Sequence, residues 1–178
     1  KSSLLNALLK TDSLSVSPVS NTTANIIQLL VDDYELYDTP GFIKESELPQ
    51  KFTDECLIQL SPSKTIKPMV FQIYERQTIM LGNMGYIEIE PVDTINIVSY
   101  LPFSVKRVKP DRAEANLDLE HDFMILNPAY RTRHWPRKDF NVDLEIFDVG
   151  FISIQGKYNR LKTVVDVDAE IVLRKAII

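Results

Sequence analysis

Lys1-Ser2-Ser3, at the head of a Leu-rich run, is the first stretch able to do chemistry. A phosphate-binding loop has the form G-x-x-x-x-G-K-[ST] and runs into a helix. Its backbone N–H groups hold phosphates, its Lys reaches the β/γ oxygens and its hydroxyl binds Mg²⁺. Lys1 and Ser2 match the last two positions, and the bland alternative is a helix start with serine caps. Thr22-Thr23 sits in a Ser/Pro-rich loop, "SVSPVSNTTAN". Asp38-Thr39-Pro40-Gly41 ends a strand-like run, a place where Pro and Gly also make an ordinary turn. Farther along, "RTRHWPRKDF" gathers Arg131, Arg133, Arg137 and Lys138 around Trp135, and Lys106, Arg107 and Lys109 form a second basic cluster. Cations of this kind neutralise phosphates and an aromatic ring stacks on an unpaired base. The competing reading is a solvated loop whose Trp packs on a sheet.

The elements that must position these residues are partly legible. Leu4, Leu5, Leu8 and Leu9 fall on one helical face. "IIQLLV" and "YELYDT", joined by Asp32-Asp33, predict a tight hairpin whose second strand leads into Asp38. Residues 45–60 suit a helix interrupted early by Pro49. A seam at Ser61-Pro62-Ser63 divides the expected domains, 1–62 and 63–178. Beyond it the spacing predicts strands over 69–75, 77–81, 85–90 and 94–100, with a turn at Gly82-Asn83. A short helix over 111–119 and strands over 140–147, 150–155 and 161–174 follow. "RTRHWPRKDF" reads as a loop.

Helix, threonine pair, hairpin and Asp-x-x-Gly, in that order, resemble the G1–G2–G3 series of translation-factor-related GTPases. The resemblance implies nucleotide contacts from Lys1, Ser2, Ser3, Thr22, Thr23, Asp38, Thr39, Pro40 and Gly41, and Mg²⁺ held by Ser2, Thr23 and Asp38. Phe42 stands where Ras-like proteins carry the Gln that orients the attacking water, so slow intrinsic hydrolysis is expected. No N-K-x-D motif for guanine follows in residues 42–178. Circularly permuted GTPases place that motif upstream of G1. The chain resembles one such family, YqeH, through "KPMVFQIYERQTIMLGNMGYIEIE", "SVKRVKPDRAEANLD" and "FDVGFISIQGKYNRLKTVVDVDAEIVLRKAII". The resemblance implies an α/β P-loop GTPase portion followed by an α+β, mostly antiparallel β C-terminal domain. It further implies GTP/GDP and Mg²⁺ as ligands, a role in small ribosomal subunit assembly, and zinc held only in an N-terminal segment outside this chain. On this view the chain starts inside the phosphate loop because its first half is absent.

Composition sets the outer limits. The 178 residues are 44% hydrophobic and 25% charged, enough apolar mass for a core, and no run approaches the roughly 18 apolar residues of a membrane helix. The net charge of −5 sits entirely in residues 1–62, with 4 Lys against 9 Asp and Glu, while residues 63–178 balance 16 against 16. An acidic total therefore does not exclude RNA as a partner; the small subunit or its rRNA is expected, and neither membrane nor DNA. A single cysteine, Cys56, rules out an internal disulfide and suits a reducing cytoplasm. His121 and His134 lack spaced companions for zinc and read as surface residues. The alternative to a GTPase is a non-enzymatic RNA- or protein-binding module with an incomplete nucleotide site.

Overall fold

The computed structural model describes Ala7, Lys10 and residues 27–31, 34–38, 48–61 and 65–177. The chain divides into two units, Lys1–Glu45 and Ser46–Ile178. In the first, β1 (Ile27–Val31) and β2 (Tyr34–Asp38) pair antiparallel from Ile27↔Asp38 to Val31↔Tyr34, as the two predicted runs require.

The second unit begins with a 3-10 turn, Leu48–Lys51, and α1 (Asp54–Leu60). Thr53 caps α1 through its Oγ1, which accepts from the Cys56 N–H at 3.3 Å, and Asp54 and Glu55 lie in the first turn, where the helix dipole favours acid. The predicted 45–60 helix is thus shorter than expected. Pro49 stands in the 3-10 turn and the α-helix starts only after the Thr53 cap.

Ten strands follow: β3 (Met69–Ile73), β4 (Gln77–Met80), β5 (Gly85–Pro91), β6 (Ile95–Tyr100), β7 (Lys106–Val108), β8 (Tyr130–Trp135), β9 (Val142–Ile146), β10 (Gly150–Gln155), β11 (Tyr158–Asp166) and β12 (Ile171–Lys175). A short helix, α2 (Ala113–Leu117), precedes β8. The strands form two antiparallel sheets ordered β12-β9-β10-β6-β3 and β7-β4-β5-β11-β8. Alternation explains why they face one another. Ile95 and Ile97 of β6, Ile152 and Ile154 of β10, and Leu144 of β9 point inward and share one core with Ile79, Ile87, Ile89 and Leu161 of the other sheet. On the outer side of the second sheet, Met80 and Tyr86 pack beneath Ala113 and Leu117 of α2.

The turn at Gly82-Asn83 ties this layer down. Gly82 has φ +64°, and a Cβ there would lie 2.0 Å from the Phe123 carbonyl oxygen, so only glycine fits. Asn83 donates to the Ile125 carbonyl at 2.9 Å and accepts from its N–H at 2.7 Å.

Three expectations need correction. Of the basic segment expected to be a loop, residues 131–135 belong to an edge strand, β8, and residues 136–140 are irregular. The single strand expected over 161–174 is two, β11 and β12, in different sheets with a turn at residues 167–168 between them. The units separate at Glu45/Ser46 rather than near residue 62, because residues 48–60 are held to the β-rich unit by the contacts described below.

Candidate functional site

Asp38 closes the β1–β2 ladder opposite Ile27, which puts Asp-Thr-Pro-Gly immediately past a paired strand end. Beside it, Tyr37 donates to Glu35 at 2.7 Å, and this hydrogen bond raises the Tyr37 hydroxyl above its ordinary value. Lys1, Ser2, Ser3, Thr22, Thr23, Thr39, Pro40 and Gly41 lie outside the described residues. The metal set implied for Mg²⁺, two hydroxyls and a carboxylate, is made of hard oxygen donors and fits that ion by its chemistry.

The basic residues separate into two groups. β7 and β8 are opposite edges of one sheet, so Lys106, Arg107 and Lys109 do not share a patch with Arg131, Arg133, Trp135, Arg137 and Lys138. Along β8, Arg131 donates to the Ala169 carbonyl at 2.8 Å and Arg133 to the Ile171 carbonyl at 3.4 Å, so both bind backbone at the start of β12. Trp135 is buried, its Nε1 donates to Thr163 Oγ1 at 3.1 Å, and the Arg133 guanidinium lies 3.9 Å from its ring centre. The expectation that this Trp stacks on a base is therefore corrected: its face is already occupied and its N–H spent. Arg137 is exposed, and Lys138 stands 5.9 Å from the Phe140 ring.

At the other edge, Arg107 donates to the Gln72 carbonyl of β3 at 3.2 Å while remaining exposed, as are Lys106 and Lys109. Two exposed residues of the same region escaped the sequence reading. Tyr74, 73% exposed, follows β3, and Lys67 precedes it. Tyr74 belongs to the predicted run 69–75 and was read as a strand residue, and no local pattern marks a strand's last aromatic as exposed.

Two buried carboxylates organise the unit. Glu88, its side chain 3% exposed, takes Arg76 Nη2 at 2.6 Å and Lys162 Nζ at 3.0 Å. Burial pushes this carboxyl up, but Lys162 and Arg76 outweigh it and hold it below its ordinary range. The stabilisation is present above the unfolded value of about 4.3 and is lost as pH falls through the lower folded value. Denaturant titrations between about pH 3 and 5 should show this decline in the wild type, with the corresponding slope missing in Glu88→Gln; identical slopes would remove Glu88 from acid stability.

Asp166, fully buried, accepts Lys51 Nζ at 2.8 Å on both oxygens, the Ala129 N–H at 2.8 Å and the Asp168 N–H at 3.0 Å. Lys51 also meets Asp168 at 2.9 Å. Burial pulls the ammonium down, but the two carboxylates prevail and raise it. Along the same segment Phe52 bridges Ile125, the Leu126 N–H donates to the Lys51 carbonyl, Cys56 Sγ to that of Met124 and Gln59 to that of Asp122. Cys56 is buried, as its place on the apolar side of the helix predicts.

His121 meets the Asn116 carbonyl at 2.6 Å and is half-buried, while His134 is exposed on β8. Among the described residues no group of three or more His, Cys, Asp or Glu is placed to hold a metal, and no helix is long and apolar enough to cross a membrane.

A family model described as a 50S ribosome-binding GTPase matches residues 1–84, running from Lys1 through the hairpin and past β4. Across 196 aligned positions the sequence is 24% identical to YqeH of Bacillus subtilis strain 168, described as an uncharacterized protein. That alignment takes in 100% of this chain. The chain is thus similar to YqeH along its whole length. It spans about half of that relative, 53% of its length. The likeness to YqeH is continuous across both units, and the GTPase likeness covers the front with the start of the β-rich unit.

Proposed function

We propose that the intact protein binds GTP with Mg²⁺ and hydrolyses it as a switch in assembly of the small ribosomal subunit, in the cytoplasm, within a circularly permuted G domain. The observation that carries this reading is the order of the front segment: Lys-Ser-Ser, a threonine pair, and a paired hairpin ending at Asp38-Thr39-Pro40-Gly41, all inside the stretch that matches a GTPase model. Lys1 would meet the β/γ oxygens, Ser2, Thr23 and Asp38 would hold Mg²⁺, and the Gly41 N–H would meet the γ-phosphate. The bound ion would supply neutralisation of the phosphate charge.

The switch reading gains support from residues 48–60. They follow Gly41 in the chain and are fastened to the β-rich unit through Lys51, Phe52, Cys56 and Gln59. A change in residues 38–47 on loss of the γ-phosphate would pull on a segment that moves with that unit. The β-rich unit would contact the subunit or its rRNA.

The test is sedimentation of the intact protein with ribosomal subunits, loaded with GDP or with a non-hydrolysable GTP analogue. Co-migration with the small subunit only in the GTP-like state is expected, together with competition by GTP but not ATP. The matching family model's description names the 50S subunit, so migration with the large subunit would reassign the partner. Nucleotide-independent migration without GTP binding would make the protein the non-enzymatic module.

A further inference from the structure

Two of the four cations named at the β8 edge, Arg131 and Arg133, donate to backbone carbonyls, whereas at the opposite edge Arg107 alone does so. β7 and β3 border the same side of the sandwich, joined by the Arg107–Gln72 hydrogen bond. Exposed Lys67, Arg107 and Lys109 lie along this side, and Lys106, level with Met80, stands on the outer face of the same edge strand. Tyr74 emerges from the turn between β3 and β4. Lys109 directly follows Val108, which pairs with Thr78 near the start of β4, so the ring and this ammonium belong to one end of the sandwich. The exposed acids in this neighbourhood are Glu75, which is engaged by Gln77 at 3.0 Å, Asp111, and Asp122 at the groove described next, against the four cations Lys67, Lys106, Arg107 and Lys109. Beside Lys67 opens a groove of ≈ 520 Å³ lined by Ile66, Met69, Leu101 and Phe103, with Thr65, Ser104, Gln59 and Asp122 as its polar groups.

We propose that this β3–β7 edge takes up single-stranded RNA. Tyr74 stacks an unpaired base, Lys106, Arg107 and Lys109 meet successive phosphates, and the groove beside Lys67 receives a second, splayed base whose edge finds the hydroxyls. The chemistry favours a single strand because a 73% exposed ring stacks only on a base free of a duplex. It favours nucleic acid over an acidic peptide because a flat apolar slot with hydroxyls beside a row of cations suits base and phosphate together. The proposal rests on the rRNA side of the function proposed above and names the surface and the form of RNA.

Fluorescence anisotropy of a labelled unstructured RNA 12-mer with the intact protein tests it, at several salt concentrations and with GTP binding followed in parallel. Tyr74→Ala should weaken RNA binding at least about fivefold, the lower end of one base stack. The pair Lys106→Glu and Lys109→Glu should abolish most binding, and Lys106→Ala with Lys109→Ala should flatten the log–log salt slope by about 1.4. Arg137→Glu with Lys138→Glu, at the far edge, should leave affinity unchanged. Tyr74, Lys106, Lys109 and Arg137 are exposed and Lys138 is half-buried, so unaltered melting temperatures check the fold. Loss of binding only in the far-edge variant overturns the proposal, as does equal competition by polyglutamate through the same residues. Absence of RNA binding with GTP binding intact overturns it while sparing the GTPase reading; failure of GTP binding alone leaves the RNA surface standing.

Discussion

Asp38→Ala in the intact protein should weaken Mg²⁺-dependent GTP binding by about 100-fold or more, on the function proposed above. A bound divalent ion contributes several kcal/mol of charge stabilisation at transferring phosphates, and each 1.4 kcal/mol is tenfold in affinity. Asp38 sits at the last paired position of β2, opposite Ile27, so the backbone that carries it is fixed by the hairpin. Chelation of Mg²⁺ should lower wild-type affinity by at least as much as the substitution does and should affect the variant less, because the two perturbations share an interaction. Asp38→Asn, which keeps the shape and loses the charge, should fall between them. Wild-type affinity and wild-type Mg²⁺ response in Asp38→Ala would end the assignment of Asp38 to the metal, and with it the GTPase reading of this strand end. Melting of the β-rich unit should be the same in all three proteins, which separates a lost ligand from a lost fold.

Asp166→Ala should destabilise the second unit by about 3–5 kcal/mol, the cost of removing one partner of a buried ion pair. The carboxylate is fully buried and receives Lys51, Ala129 and Asp168 at once, so its loss strands two N–H groups and leaves Lys51 with Asp168 alone. A fall in melting temperature on the order of 10 °C is expected. Lys51→Met should cost less, because Lys51 is 20% exposed and Asp166 keeps its two backbone donors. Combined in a double-mutant cycle, the two should couple by about 0.5–3 kcal/mol. Additive effects would mean that the Lys51–Asp166 pair is no part of the fastening of residues 48–60.

Several elements were readable because their cause is local. β5 and β6 show β-branched residues at successive inward positions, the hairpin shows two short runs and a two-residue spacer, and Gly82 marks a left-handed turn. β8 was not readable, since "YRTRHW" has no apolar alternation. Its inward arginines are satisfied by carbonyls of Ala169 and Ile171, 38 residues away in each case. Edge strands carry charge without penalty, so a basic strand and a basic loop look alike in sequence. The division between units was misplaced for a related reason: Lys51 reaches Asp166 across 115 residues, and no composition shift announces such a pairing.

The order of the phosphate-type motifs, the β-rich character of the second unit and the likeness to YqeH are legible along the chain, because they follow from residue identity and near-neighbour spacing. Which cations stay clear of backbone carbonyls is settled by the folded arrangement. Whether an arginine binds RNA or a carbonyl depends on which strand lies across from it, and that is set by the stacking of two sheets around a shared core rather than by anything within reach along the chain.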